Sequence, residues 1–232
     1  VLIMTVCVLP LGVITGIYLQ EYASHEAWWT RGVRMAVSNL AGVPGVVFGL
    51  FGLGFFVYFI GGAIDHAAGN STAVWGKPAL LWSSLTMASL TLPVVVVTTE
   101  EALRSVPQSL RDASMGLGAN QLQTLLRVLL PQALPGILTG VVLAISRAAG
   151  EVAPIMITGA AFMAPLPKGP TDQFMELGYH VFVLATQSPN VEVTKPILFA
   201  TVLLLLVLTL SLNLLAMFGR AYLRRKYHHS LQ

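Results

Sequence analysis

The sequence predicts an all-α integral membrane protein, a helical bundle with five spans visible in its 232 residues. Three observations carry that expectation. Hydrophobic residues make up 55% of the chain and charged residues only 10%, with a mean hydropathy of +0.75, whereas soluble domains carry about a quarter charged residues. The apolar residues gather into stretches close to the ~20 residues that a helix needs to cross the hydrocarbon core. The short alternating strands of a closed barrel are absent from the sequence, which leaves helices as the way to satisfy every backbone N–H and C=O in lipid.

Residues 1–19 are just long enough to span, and Pro10 is expected to kink that helix. Residues 20–34 mix Glu21, His25, Glu26, Arg31 and Arg34 with Trp28 and Trp29, rings suited to the headgroup level, and read as a short interfacial loop. A second span runs from Met35 to Ile60, a polar loop covers 61–78, and a third span covers 79–97. After a polar island at 98–131, a fourth span runs from Leu134 to Ala161. Residues 162–194 form a long loop whose apolar stretch, Met175 to Ala185, either lies on the surface or re-enters the membrane. Pro196 to Phe218 is the fifth span, followed by the basic tail RAYLRRKYHH, where His228 and His229 read as solvated residues rather than a metal pair.

Gly12 with Gly16, Gly45 with Gly49, and Gly136 with Gly140 are each four apart, a spacing that lets helices approach closely in lipid. Packing explains them better than a cofactor. No GxxxxGK[ST] and no GxGxxG occurs in the chain, so it has no known sequence device for nucleotide. The single cysteine, Cys7, excludes an intrachain disulfide and a cysteine metal framework; it reads as a buried thiol. No cofactor is expected.

The net charge of +3 and pI near 9.2 reflect orientation rather than a nucleic-acid partner, because the basic residues cluster at span ends. With the spans alternating, one side carries Arg31, Arg34, Arg104, Arg111, Arg127, Arg220, Arg224, Arg225 and Lys226, and the other only Lys77, Lys168 and Lys195. The positive-inside rule then puts the island and the tail in the cytoplasm. Val1 would lie outside, so an additional upstream span, six in the full protein, is expected.

Within the island, Thr98 reads as a helix cap with Glu101 as its capping-box partner. The helix is expected to break near Pro107, resume through Leu110 to Leu117 and stop at Gly118. Asn120 would cap a second helix bearing Leu122, Leu125, Leu126 and Leu129 on one stripe, ended by Pro131. Such a hairpin either packs on its own bundle or docks on another protein. In the fourth span, Arg147 and Glu151 stand at i and i+4, on one helix face. They form either a self-neutralising pair or a site where the guanidinium forks onto an oxyanion. Pro154 would break that helix and free backbone groups, or simply kink it.

The stretch Asp112-Ala113-Ser114, then Gly118, then Val128-x-Leu130-Pro131 resembles the EAA loop of ABC importer permeases: EAA, three residues, Gly, nine residues, I-x-L-P. Asp replaces the Glu, Ser the second Ala and Val the Ile. More widely, TEEALRSVPQSLRDAS, LLPQALPGILTGVVLAISRAAGEVAP and NLAGVPGVVFGLFG resemble the A-type permease subunits of Pst phosphate importers, from the second span onward. That resemblance implies the type I importer (MetI-like) fold and a single permease domain over 1–232. It also implies a PstC-like partner permease, two PstB-like ATPase subunits, a PstS-like periplasmic binding protein, and no catalysis by this chain. Glu101, Asp112, Ala113, Ser114, Gly118 and Pro131 would couple to the ATPase in the bacterial inner membrane, while Arg147 and Glu151 would lie in the phosphate path. A carboxylate beside the arginine can accept the P–OH that phosphate keeps and sulfate lacks. Alternatives are an importer of sulfate, molybdate or another solute, and a channel or secondary transporter working without ATP. About 24 Å of helix would separate Pro131 from Arg147 at ~1.5 Å per residue, making the fourth span the lever between loop and site.

Overall fold

The computed structural model describes residues 1–24 and 26–228 and contains a succession of helices, with no strand among the described residues. Five helical stretches are long and apolar enough to cross a membrane: Leu2–Tyr22, Gly45–Ala68, Leu80–Arg104, Gln121–Ala149 and Glu192–Ser211. The five expected spans are therefore present, but several of their ends shift, each for a local physical reason.

Helix α1 (Leu2–Ile17) contains Pro10 and continues as a wider π turn over Tyr18–Tyr22. Residues 20–34 are not a loop: helix α2 (Trp28–Ala41) takes up half of them and also includes Met35, so the second span does not begin there. One face of α2 is anchored. Thr30 is buried, and Arg34 donates to the Leu19 carbonyl at 2.7 Å and pairs with Glu100 at 3.3 Å. The stacked Trp28 and Trp29 rings, 3.7 Å apart, stay exposed.

The second span starts after the extended Pro44 with α3 (Gly45–Gly52), passes through a π turn (Leu53–Gly61) and ends in α4 (Gly62–Ala68). It outruns Ile60 because Asp65 gives the following loop somewhere to end. Its buried carboxylate accepts from Asn70 Nδ2 (2.7 Å) and from the backbone N–H groups of Val74 (2.9 Å), Trp75 (3.0 Å) and Gly76 (2.7 Å). Trp82 Nε1 then donates to the Trp75 carbonyl at 2.7 Å. Asp65→Ala removes four acceptor contacts at once and is expected to make residues 66–79 cleavable by protease in the solubilised protein, since unpaired backbone no longer holds the loop.

Helix α5 (Leu80–Arg104) overruns residue 97. Thr98 is therefore not a cap: its hydroxyl donates to the Val94 carbonyl at 2.8 Å in mid-helix, which leaves Glu101 without a capping box to complete. The helix continues because Ala102 and Leu103 are buried. Helix α6 (Gln108–Gly116) follows, then α7 (Gln121–Thr124), a π turn (Leu125–Leu129) and α8 (Leu130–Ala149), the last three running as one stretch. The fourth span thus starts earlier than Leu134 and stops well before Ala161. Helix α9 (Ala153–Thr158) is separate. Met175–Ala185 lies mostly in α10 (Leu177–Thr186), whose 10 residues extend about 15 Å, too short to cross a bilayer. Helix α11 (Val191–His228) takes Pro196 inside it rather than starting there. His25, His229 and the side chains of Arg220, Arg224, Arg225, Lys226 and His228 lie outside the described residues.

Two compact units emerge. One comprises 1–7, 43–90 and 146–213. Its core holds Val57, Ala79 and Trp82, and α3 packs on α9, where a Cβ on Gly49 would come within 2.9 Å of Pro154 Cα. The other comprises 8–42, 91–145 and the chain from 214. Its core runs from Leu103 and Val106 through Leu125 and Leu129 to Ile137 and Val141. Here Gly12 lies against Val95, Gly16 against Thr99, Gly136 against Ala102 and Gly140 against Thr98. The small-residue spacings do serve close packing in both units.

Candidate functional site

The hairpin after α5 folds largely as its turn residues dictate. The extended Pro107 precedes α6, Gly118 adopts a left-handed φ of +88°, and nothing lies within 4 Å of where its Cβ would stand. Asn120 caps α7: its Oδ1 accepts from Gln123 N at 2.8 Å, and Gln123 Oε1 accepts from Asn120 N at 3.0 Å. No residue of α6 is buried. Asp112 and Ala113 are exposed, and among the described residues the Asp112 side chain accepts only from Gln108 Nε2 of its own helix, at 3.0 Å. Ser114 Oγ lies 2.9 Å from Thr124 Oγ1, closing the hairpin on itself. Leu110, Met115 and Leu117 are exposed, Leu117 by 90%.

Two expectations for the hairpin need correction. The leucine stripe divides: Leu125 and Leu129 are buried, whereas Leu122 and Leu126 face outward. Pro131 does not end the helix but sits exposed inside its continuation. The preceding π turn explains this, because Leu130 N already reaches back to Leu125 O, and a wide turn tolerates a residue that lacks an N–H. Glu101 is exposed near the end of α5.

The pair Arg147 and Glu151 is brought together, though not on one helix face. Helix α8 ends at Ala149 with a tightened turn, Gly150 N to Arg147 O at 3.1 Å and Glu151 N to Ala148 O at 3.3 Å. Glu151 therefore lies in the link before α9, and the break precedes Pro154 instead of occurring at it. Arg147 Nε stands 3.7 Å from Glu151 Oε1, with the side chains 42% and 27% exposed. That distance leaves an ion pair without a hydrogen bond, and no hydrogen bond from this guanidinium to the described residues forms. The second carboxylate oxygen rests against α3, where a Cβ on Gly45 would come within 3.0 Å of Oε2. A half-exposed guanidinium with uncommitted donors beside a carboxylate can bind a tetrahedral oxyanion that also carries a proton. A cavity of about 310 Å³ in the same unit, walled by Met87, Phe174, Leu205 and Leu208, is mostly apolar, and neither charged residue lines it.

Sequence reasoning missed three carboxylates. Asp65 carries no motif. The pairs Arg34–Glu100 and Arg111–Glu21 join residues 66 and 90 apart, and no local spacing announces them. Among the described residues no cluster of His, Cys, Asp or Glu could hold a metal ion.

Residues 9–229 match the family described as binding-protein-dependent transport system inner membrane component. The chain is similar to the probable ABC transporter permease protein YqgI of Bacillus subtilis, with 37% identity over 65% of this chain and 46% of that protein. It is 34% identical to the phosphate transport system permease protein PstA of Yersinia pestis over 97% of this chain and 68% of that one. The chain spans about half the length of several curated relatives that it matches. Its fold is similar to that of the MetNI methionine ABC transporter in an inward-facing conformation, with a TM-score of 0.65, 21% identity, and coverage of 97% of this chain and 88% of that one.

Proposed function

Because the chain belongs to the family of binding-protein-dependent transport system inner membrane components, we propose that it is one of two permease subunits of an ATP-driven importer of inorganic phosphate. Residues 1–232 act as one permease domain beside a PstC-like permease, with two PstB-like ATPase subunits and a PstS-like periplasmic binding protein. The exposed hairpin and the C-terminal tail face the cytoplasm, following the charge bias of the loops. Closure of the ATPase subunits, felt through the hairpin, turns the pathway outward to receive phosphate, and hydrolysis resets it. This chain makes and breaks no covalent bond.

The observation that carries the reading is α6 itself. It is held in place by Gly118, the Asn120 cap and the Ser114–Thr124 contact, yet apart from the inward-turned Arg111 side chain it leaves its residues uncovered. Leu110 and Met115 of this helix and Leu117 at its C-terminal cap face outward and lose water when a partner protein covers them, and Asp112, Ala113 and Ser114 lie on the same helix. Leu117→Glu is expected to release a Walker A-bearing ATPase subunit during purification in mild detergent, because it places a charge in an apolar contact. Full retention of the subunit would contradict docking through this face.

For the cargo, the guanidinium of Arg147 supplies two parallel N–H donors to phosphate oxygens. The carboxylate of Glu151 accepts the P–OH that phosphate retains near neutral pH and repels an oxyanion with no proton. Glu151→Gln keeps the size and removes that repulsion. It is expected to raise sulfate uptake relative to phosphate by about tenfold, the scale of one charged hydrogen bond, as read by competition between labelled anions.

A further inference from the structure

We propose that Arg111 and Glu21 form the strut through which the exposed hairpin pushes on the membrane helix Leu2–Tyr22, a positioning role separate from docking and from cargo binding; it rests on the importer reading above. Arg111 belongs to α6, but its side chain turns inward and is only 13% exposed, and that of Glu21 only 6%. The guanidinium uses its two ends on two different elements. One terminal nitrogen pairs with Glu21 Oε2 on the π turn that ends the first span, and the other donates to the Leu103 carbonyl in the last turn of α5 at 2.9 Å. Gln121, the first residue of α7, donates to the backbone carbonyl of Glu21 at 2.6 Å. Both arms of the hairpin thus converge on a residue 90 and 100 positions earlier in the chain.

The pair is stiff for physical reasons. Glu21 Oε1 is buried without a hydrogen-bond partner among the described residues, so Arg111 supplies the compensation for that carboxylate. Separating two charges so poorly exposed leaves one of them alone in a low dielectric, whereas a solvated surface pair yields readily. The other polar contacts of the hairpin, Ser114 with Thr124 and Asn120 with Gln123, stay within it. A displacement of α6 is therefore passed to the end of the first span through Arg111 and Gln121, with the fork of arginine fixing its direction.

The test uses the complete complex in proteoliposomes, with R111Q, E21Q, R111Q/E21Q and R111K compared for ATPase-subunit retention, ATP hydrolysis and phosphate uptake. All four are expected to retain the ATPase subunit. Uptake per ATP hydrolysed falls about tenfold or more in each single Gln variant, as expected for a lost buried charge partner. The double variant is no worse than the worse single, because the two act through each other, and R111K recovers part of the loss. Unchanged uptake per ATP, or a double effect equal to the product of the singles, overturns the strut. Loss of the ATPase subunit from both single variants also overturns it, assigning the pair to folding of the hairpin. Absence of phosphate uptake by the unaltered complex instead overturns the proposed cargo, and the strut is then read from ATP hydrolysis stimulated by the binding protein.

Discussion

Replacing Arg147 with Gln is expected to lower phosphate uptake by at least about 100-fold while the complex stays assembled, since two charge-assisted hydrogen bonds at about 1.5–3 kcal/mol each are lost and about 1.4 kcal/mol is tenfold. The geometry makes the variant informative. Arg147 is 42% exposed and stands 3.7 Å from Glu151, so its removal leaves no deeply buried lone carboxylate to unfold the subunit. If the pair merely neutralised itself, Arg147→Gln and Glu151→Gln would damage assembly alike and neither would alter selectivity. In the proposed site they differ: Arg147→Gln abolishes uptake of any oxyanion, while Glu151→Gln relaxes the choice between phosphate and sulfate.

The second large effect belongs to Gly118. A residue with a Cβ in the left-handed region costs about 1–2 kcal/mol, more when β-branched, and the φ of +88° leaves no alternative. Gly118→Val is therefore expected to reduce ATPase-subunit retention by roughly 5–30-fold, the factor that one or two kcal/mol represents. Because nothing lies within 4 Å of the Cβ position, the penalty comes from the backbone rather than from crowding. Gly116 provides the control. It ends α6 in ordinary helical conformation with equally open surroundings, so Gly116→Ala is expected to retain the subunit fully, Gly being the poorer helix residue by about 0.5–1 kcal/mol.

These two sites also show where sequence legibility ends. Gly118 and Asn120 could be read because their conformations are local: one needs a positive φ, the other an acceptor three residues from an N–H. The glycine pairs were equally legible, since four-residue spacing is a property of one helix. Thr98 and Pro131 misled for the converse reason. Thr98 has the chemistry of a cap, but the burial of Leu103 keeps the helix going and its hydroxyl bonds back to Val94. Pro131 is an ordinary helix breaker that a preceding π turn accommodates, and no composition signal marks that turn. Helix α2 was hidden because its polar residues read as a loop until Arg34 is seen to bind Leu19 and Glu100. Arg147 and Glu151 were found by their charge in an apolar run, yet the helix end between them was not, since Gly150 can continue a helix or stop one. Arg111 with Glu21 lay beyond reach altogether, because tertiary packing alone unites residues 90 apart.

The most direct measurement is uptake of labelled phosphate and labelled sulfate by proteoliposomes containing this chain with its partner permease, ATPase subunits and binding protein, with and without ATP. The predicted result is phosphate accumulation that requires ATP, survives excess sulfate and disappears with Arg147→Gln. Phosphate entry that persists when ATP is exhausted, or sulfate carried as well as phosphate, would contradict it.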